Sequence, residues 1–79
     1  MATTYRGRYR FRVAKLVGGE LRIITDPFRE EDRLPVLGKG GFIAFDLKPG
    51  TTYEQAQEIA NYLNEHIERI SCTLFGPRQ

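Results

Sequence analysis

The sequence predicts an α+β fold: a two-layer sandwich with a four-stranded, mostly antiparallel sheet and one helix on one face. Three observations predict it, namely an alternating strand pattern near the start, a glycine hairpin signal, and a strand, turn, helix and strand running from Phe42 to Phe75. The chain has 79 residues, so a single domain over residues 1–79 is expected, with flexible tails at 1–4 and 76–79.

Residues 5–17 form the first predicted strand, because apolar and arginine side chains alternate along it. The apolar face is formed by Tyr5, Tyr9, Phe11 and Val13. The opposite face carries Arg6, Arg8, Arg10 and Arg12. Ala14 and Leu16 then fall on the arginine face, so a bulge or a strong twist is expected after Val13.

A hairpin follows at Val17-Gly18-Gly19-Glu20, since glycine reaches the positive φ angles of tight turns without steric cost. Residues 21–25 form the returning strand, which Asp26-Pro27 ends. The register stays open, because a two-residue loop and a three-residue loop place Ile23 and Ile24 on opposite faces. Residues 26–41 form a long loop, in which residues 34–37 are either a short edge strand or apolar residues packed under the sheet.

The segment from Phe42 onward has the strongest local signals. Residues 42–47 are the third predicted strand, and Lys48-Pro49-Gly50-Thr51 suits a type II turn with glycine at its third position. A capping box then starts the helix, formed either by Thr51 with Glu54 or by Thr52 with Gln55.

The predicted helix has an apolar stripe at three- and four-residue spacing and ends between Asn64 and Arg69. The stripe consists of Ala56, Ile59, Ala60, Leu63, Ile67 and Ile70. Residues 71–75 form the last strand. A strand, helix and strand in series predicts two parallel strands with the helix crossing one face of the sheet.

Composition narrows the functional classes. The net charge is only +2, yet residues 1–25 carry 6 − 1 = +5 and residues 26–79 carry 6 − 9 = −3. Cys72 is the only cysteine, so no disulfide within the chain is expected. No signal peptide and no membrane-spanning segment are expected, and a cytoplasmic location is the simplest interpretation.

The residues typical of catalysis and metal binding have simpler interpretations here. His66 and Cys72 lack a third, orienting group in the sequence pattern. An acidic loop segment has arginines among its carboxylates and matches no known metal loop; it contains Asp26, Glu30, Glu31 and Asp32. We therefore expect no enzyme, no cofactor, no metal and no small-molecule substrate.

The arginine strand is the main binding candidate. Arg6, Arg8, Arg10 and Arg12 suit phosphate contacts, and the interleaved Tyr5 and Tyr9 suit stacking on bases. The alternative is a solvated face whose arginines pair with carboxylates of neighbouring strands. Lys39, in a glycine-rich loop, and Phe42 complete the set of candidate binding residues.

Three functions are compatible with this pattern. The first is a small, non-enzymatic interaction or regulatory module that binds a protein partner or forms a homodimer through an uncovered sheet face with Phe42, Phe75 and either Ile23 or Ile24. The second is a nucleic-acid-binding module that uses the arginine face. The third is an inhibitor of a nucleic-acid-binding protein, acting through acidic side chains at Glu54, Glu58, Glu65 and Glu68.

Overall fold

The computed structural model describes residues 1–76, which form five β-strands and one α-helix. The strands are β1 (Ala2–Gly7), β2 (Tyr9–Lys15), β3 (Leu21–Pro27), β4 (Ala44–Asp46) and β5 (Ile70–Phe75), and the helix is α1 (Tyr53–His66). Two single-turn 3₁₀ helices, Glu30–Asp32 and Pro35–Leu37, lie in the long loop. Within this part of the chain, no helix has the length and apolar character needed to cross a membrane.

The central sheet is antiparallel, with strand order β2-β3-β4. The β2–β3 register runs without interruption from the Tyr9–Pro27 pair to the Lys15–Leu21 pair, so the bulge expected after Val13 is absent. The hairpin loop is closed by a bond from the Leu16 amide to the Glu20 carbonyl at 2.7 Å, and Gly19 has a φ of +90°. This register places Ile23 opposite Val13 and buries it completely.

The α+β class is confirmed, but the expectation of one four-stranded sheet is wrong. Strand β1 leaves the central sheet and pairs antiparallel with β5 in a separate two-stranded sheet, here called the ribbon. The strands on either side of α1 therefore lie in different sheets and are not a parallel pair. Residues 2–4, expected as a tail, belong to β1, while 77–79 of the second expected tail lie outside the described residues.

The division of the predicted first strand occurs at Arg8. The Arg8 amide donates to Asp32 Oδ1 at 3.1 Å, and its carbonyl accepts from the Phe28 amide at 3.0 Å. The backbone of residue 32 also lies against Gly7, where an added Cβ would stand 1.8 Å from the Asp32 carbonyl oxygen. Because the turn at Glu30–Asp32 binds the chain here, β1 is separated from β2 and takes β5 as its partner.

The turn and cap that precede α1 match the sequence prediction. Gly50 has a φ of +90°, and the Thr51 amide donates to the Lys48 carbonyl at 3.2 Å. Of the two capping boxes, the structure forms the one between Thr52 and Gln55. The helix ends at His66, inside the predicted range.

The core lies between α1 and the central sheet and is small. Its centre is Phe11, Ile23 and Ala60, with partly buried neighbours Val13, Leu47, Leu63 and Ile70. Residues 34–37 form no edge strand, because Pro35–Leu37 is a 3₁₀ turn preceded by Leu34. Of these residues only Leu34 is buried, whereas Val36 is 49% exposed. Ile59, expected in the buried stripe, is 40% exposed, and the third predicted strand is reduced to the three residues of β4.

Candidate functional site

The four arginines of the predicted arginine face do not lie on one surface. Arg6 lies on β1 in the ribbon, and Arg8 lies at the division between β1 and β2. Arg12 forms an ion pair with Asp26 of the neighbouring strand. The interpretation as paired surface charges therefore holds for Arg12, whereas Arg10 has a different environment described below.

The two tyrosines are not available for stacking on bases from the arginine face. Tyr9 is only 4% exposed, and its hydroxyl accepts a hydrogen bond from the Leu34 amide at 2.9 Å. Tyr9 is thus a core residue that fixes the long loop. Tyr5 lies in the ribbon opposite Cys72 and is half-buried.

Lys39 and Phe42 lie apart from the arginines. Both belong to the segment between the second 3₁₀ turn and β4, where Lys39 is exposed and Phe42 is 52% exposed. Neither lines the hollow next to Arg8 and Arg10. The structure therefore does not bring the predicted binding residues together at one place.

The face of the central sheet opposite α1 is not the expected apolar patch. Ile23 is in the core, and Phe75 belongs to the ribbon. Ile24 is on the open face, in register with Arg12. Ion pairs surround it, since Arg12 binds Asp26 and Arg22 Nη2 lies 3.2 Å from Asp46 Oδ1.

Phe28 was missed by the sequence analysis and organises a cluster with Arg8 and Arg10. The guanidinium carbons of these arginines lie 4.8 and 4.6 Å from the centroid of the Phe28 ring, within the range of cation–π attraction. Phe28 follows Pro27, where the strand pattern ends, but its amide continues the β2–β3 ladder by bonding to Arg8. Continuing the β2–β3 register by one pair beyond Tyr9–Pro27 places Phe28 opposite Arg8 and so identifies the contact.

The ribbon has two open backbone edges. A bond from the Gly76 amide to the Met1 carbonyl at 2.7 Å fixes which pairs are hydrogen-bonded, because these alternate along an antiparallel ladder. The pairs whose N–H and C=O groups turn outward are Ala2–Phe75, Thr4–Thr73 and Arg6–Ser71. On β5 the outward groups therefore belong to the odd-numbered residues 71, 73 and 75.

The ribbon is poorly covered by the rest of the chain. It contacts the turn at Glu30–Asp32 through β1, and Ile70 at the start of β5 packs against the core. Gly7 is the only residue of the ribbon in the buried class. One side of the ribbon carries Tyr5, Cys72 and Leu74, and Leu74 is 39% exposed. Strand β5 contains no charged residue, whereas β1 contains Arg6.

Three of the four acidic loop residues, Asp26, Glu30 and Asp32, pair with arginines, and Asp32 also binds the Arg8 amide. Arg33 Nε lies 2.9 Å from Glu30 Oε2, and Arg29 Nε lies 3.6 Å from Asp32 Oδ2. The hydrogen bond from the Arg8 amide lowers the pKa of Asp32 below its usual 3.8; the Arg29 charge also lowers it, while partial burial opposes both. Within residues 1–76, no three His, Cys, Asp or Glu side chains are grouped to hold a metal ion.

His66 and Cys72 lie in different environments. His66 packs against Tyr62 at the end of α1, with ring centroids 4.3 Å apart, whereas Cys72 lies in the middle of β5.

Comparison of the chain with protein-family models, with curated proteins and with solved structures gives no match.

Proposed function

We propose that this chain is a non-enzymatic interaction module that self-associates through the ribbon. In the proposed dimer, the open edge of β5 pairs antiparallel with β5 of a second copy. One observation carries the proposal: a two-stranded sheet whose uncharged β5 edge is hydrogen-bonded to no further strand of residues 1–76.

The ribbon by itself has few stabilising interactions. Two-stranded sheets are at best marginally stable in water, and stable ones gain a third strand or a packed face. Here the cross-strand bond between the Thr4 and Thr73 hydroxyls, at 2.9 Å, is exposed to solvent. Pairing with a further strand would extend the hydrogen-bonded ladder and cover Leu74.

The choice of a second copy rests on the symmetry and neutrality of β5. Natural sheets protect open edges with charges or proline, and β5 has neither over Ile70–Phe75. A two-fold axis at Thr73 would oppose Thr73 to itself and Ser71 to Phe75 of the second copy, which joins outward-facing backbone groups. It would also oppose Cys72 to Leu74 of the second copy, an apolar pair on one face. The edge of β1 is less suitable, because Arg6 places a positive charge there.

Two matched proline variants test the proposal by sedimentation velocity over a wide concentration range. The N–H groups of Thr4 and Thr73 both turn outward, so proline at either position leaves the ladder of the ribbon intact. Both Thr4→Pro and Thr73→Pro lose the same hydroxyl bond and differ only in the edge that they block. We expect the natural chain and Thr4→Pro to dimerise at the higher concentrations, since a single strand edge forms a small interface of the weak, transient class. Thr73→Pro should stay monomeric.

A monomeric natural chain at all concentrations would refute the proposal. Dimerisation that Thr4→Pro abolishes and Thr73→Pro preserves would refute the assignment to β5 and place the contact on β1. Far-UV circular dichroism of both variants establishes that each is folded, so that a loss of dimer is attributable to the edge.

A further inference from the structure

The arginines of the described residues divide into two groups by their partners. Five have a carboxylate within ion-pair distance: Arg12, Arg22, Arg29, Arg33 and Arg69. Within residues 1–76, Arg6, Arg8 and Arg10 have no such partner. The chain therefore provides counter-charges for most of its arginines and leaves three exposed, consecutive ones along one stretch of backbone without them.

Two of these three arginines share one aromatic ring. Arg8 and Arg10 hold their guanidinium carbons within 5 Å of the Phe28 centroid, and Phe28 is 43% exposed. Two cations beside one ring repel each other, while each is attracted to the ring. An anion bridging the two guanidinium groups would remove the repulsion and gain charge-assisted hydrogen bonds.

A hollow of about 300 Å³ lies next to this cluster, with both polar and apolar lining. Its lining consists of Arg8, Tyr9, Arg10, Phe28, Asn64, Ile67 and Glu68. Phe28 and Ile67 offer apolar surface to a flat ring. The Glu68 carboxylate, which also lies 3.4 Å from Arg69 Nε, is an acceptor for an amino group such as cytosine N4. Cations, an aromatic ring and a carboxylate in one hollow match a nucleotide, which carries a phosphate and a base together. An acidic peptide matches less well, because its carboxylates would bind the arginines but would offer no flat ring to Phe28 and Ile67.

We propose that Arg8, Arg10 and Phe28 form a binding site for single-stranded nucleic acid. The two guanidinium groups bind backbone phosphate, and a base lies in the hollow beside Phe28. Such a site tolerates different sequences, because stacking and phosphate contacts depend little on base identity. It is separate from the β5 edge, so this proposal stands or falls independently of dimerisation.

Fluorescence anisotropy with labelled single-stranded oligocytidylate of about a dozen nucleotides tests the site, a length within the usual range of single-strand sites. With two phosphates neutralised, the plot of log affinity against log salt should have a slope of about −1.4, from 2 × −0.7 for single strands. Arg10→Gln should weaken binding at least about tenfold, since a hydrogen bond to a charged group is lost, and reduce the slope by about 0.7. Phe28→Leu keeps an apolar side chain, removes the stacking ring, and should weaken binding about fivefold or more.

Arg12→Gln is the matched control. It removes one positive charge from the same strand, but Arg12 is paired with Asp26 and does not line the hollow. It should change the affinity less than twofold. Equal weakening by Arg12→Gln and Arg10→Gln would overturn the site in favour of diffuse surface charge.

Competing probes separate the sources of the anion. Inorganic phosphate should compete only weakly, because it has no base to fill the hollow. Failure to bind the oligonucleotide at low salt would overturn the proposal, as would equal or tighter binding to polyglutamate or to phosphatidylserine vesicles. Thr73→Pro should bind the oligonucleotide as tightly as the natural chain does. The binding measurement therefore tests this site whether or not the chain dimerises.

Discussion

At the scale of single residues, Asn64 has a role that its place on a helix does not suggest. Its side-chain oxygen accepts from the Phe11 amide at 2.7 Å, and its side-chain nitrogen donates to the Phe11 carbonyl at 2.9 Å. The carboxamide thus supplies both bonds that a neighbouring strand would give to the outer edge of β2. This bond pair ties α1 to the central sheet.

We expect Asn64→Ala to destabilise the fold by about 1–3 kcal/mol, because two partly buried backbone groups lose their partner. The midpoint of urea unfolding should fall while the slope stays unchanged. Asn61→Ala is the control, since the only hydrogen bond of the Asn61 side chain within residues 1–76 is a solvent-exposed one from Gln57. Similar midpoints for the two variants would contradict the role given to Asn64.

Asp32 makes stability depend on pH. Its pKa is lowered in the folded state, chiefly by the Arg8 amide, so its charged form stabilises the fold at pH values above 3.8. That contribution is lost as the pH falls through the lower folded-state pKa. Asp32→Asn keeps an oxygen acceptor but does not titrate.

The natural chain should therefore be more stable than Asp32→Asn at pH 6, and the difference should shrink as the pH falls below about 4. Thermal unfolding of both proteins across this range measures it. Glu31→Gln serves as the control, because Glu31 has no ion pair or side-chain hydrogen bond within residues 1–76. A constant difference between the natural chain and Asp32→Asn at every pH would exclude the linkage.

At the scale of elements, the sequence predicts correctly those structures whose contacts join residues that are close in sequence. The glycine hairpin, the Lys48–Thr51 turn and the start of α1 were predicted because each depends on a few adjacent residues. The division of the first strand depends on Asp32, 24 residues from Arg8, and no periodicity reports such a contact. Gly7 carried the only clue, since its missing Cβ makes room for the Asp32 carbonyl.

The candidate site was predicted in part for the same reason. Arg8 and Arg10 were identified from their spacing, but Phe28 joins them only through the β2–β3 register. Tyr9 was assigned to binding because alternation does not distinguish a buried aromatic from an exposed one. The hydrogen bond from the Leu34 amide to the Tyr9 hydroxyl shows that Tyr9 is a core residue.

The capping box gives a prediction for α1 itself. Thr52 accepts from the Gln55 amide at 3.1 Å, so Thr52→Ala should cost about 1 kcal/mol of stability. Urea unfolding followed by far-UV circular dichroism measures the loss. Thr3→Ala should have little effect, because Thr3 is exposed and makes no side-chain hydrogen bond within residues 1–76. Equal losses in both variants would count against the cap.

At the scale of the whole molecule, the chain is extended for its length. Its radius of gyration is 14.6 Å and its dimensions are 48 × 25 × 19 Å, whereas a compact 79-residue domain has a radius of about 11.6 Å. The two sheets share no strand, and the ribbon meets the remaining chain at the turn Glu30–Asp32 and through Ile70. Stability should therefore be distributed unevenly between the ribbon and the core.

Amide hydrogen exchange should reveal this distribution. At low protein concentration, ribbon amides should exchange faster than those of β2 and β3, because few buried contacts oppose local opening. At high concentration, the outward amides of residues 71, 73 and 75 should gain protection if β5 pairs with a second copy. Uniform protection across both sheets at low concentration would contradict this division.

The pairing of β1 with β5 has a consequence for biosynthesis. Thr4 and Thr73 are 69 residues apart, so β1 leaves the ribosome well before its partner β5 is synthesised. The hairpin of β2 and β3 needs only nearby residues and forms early, whereas the ribbon cannot close until β5 has left the ribosome. Until then β1 remains an exposed strand, and Arg6 and Arg8 give the nascent chain a positive charge that opposes its aggregation.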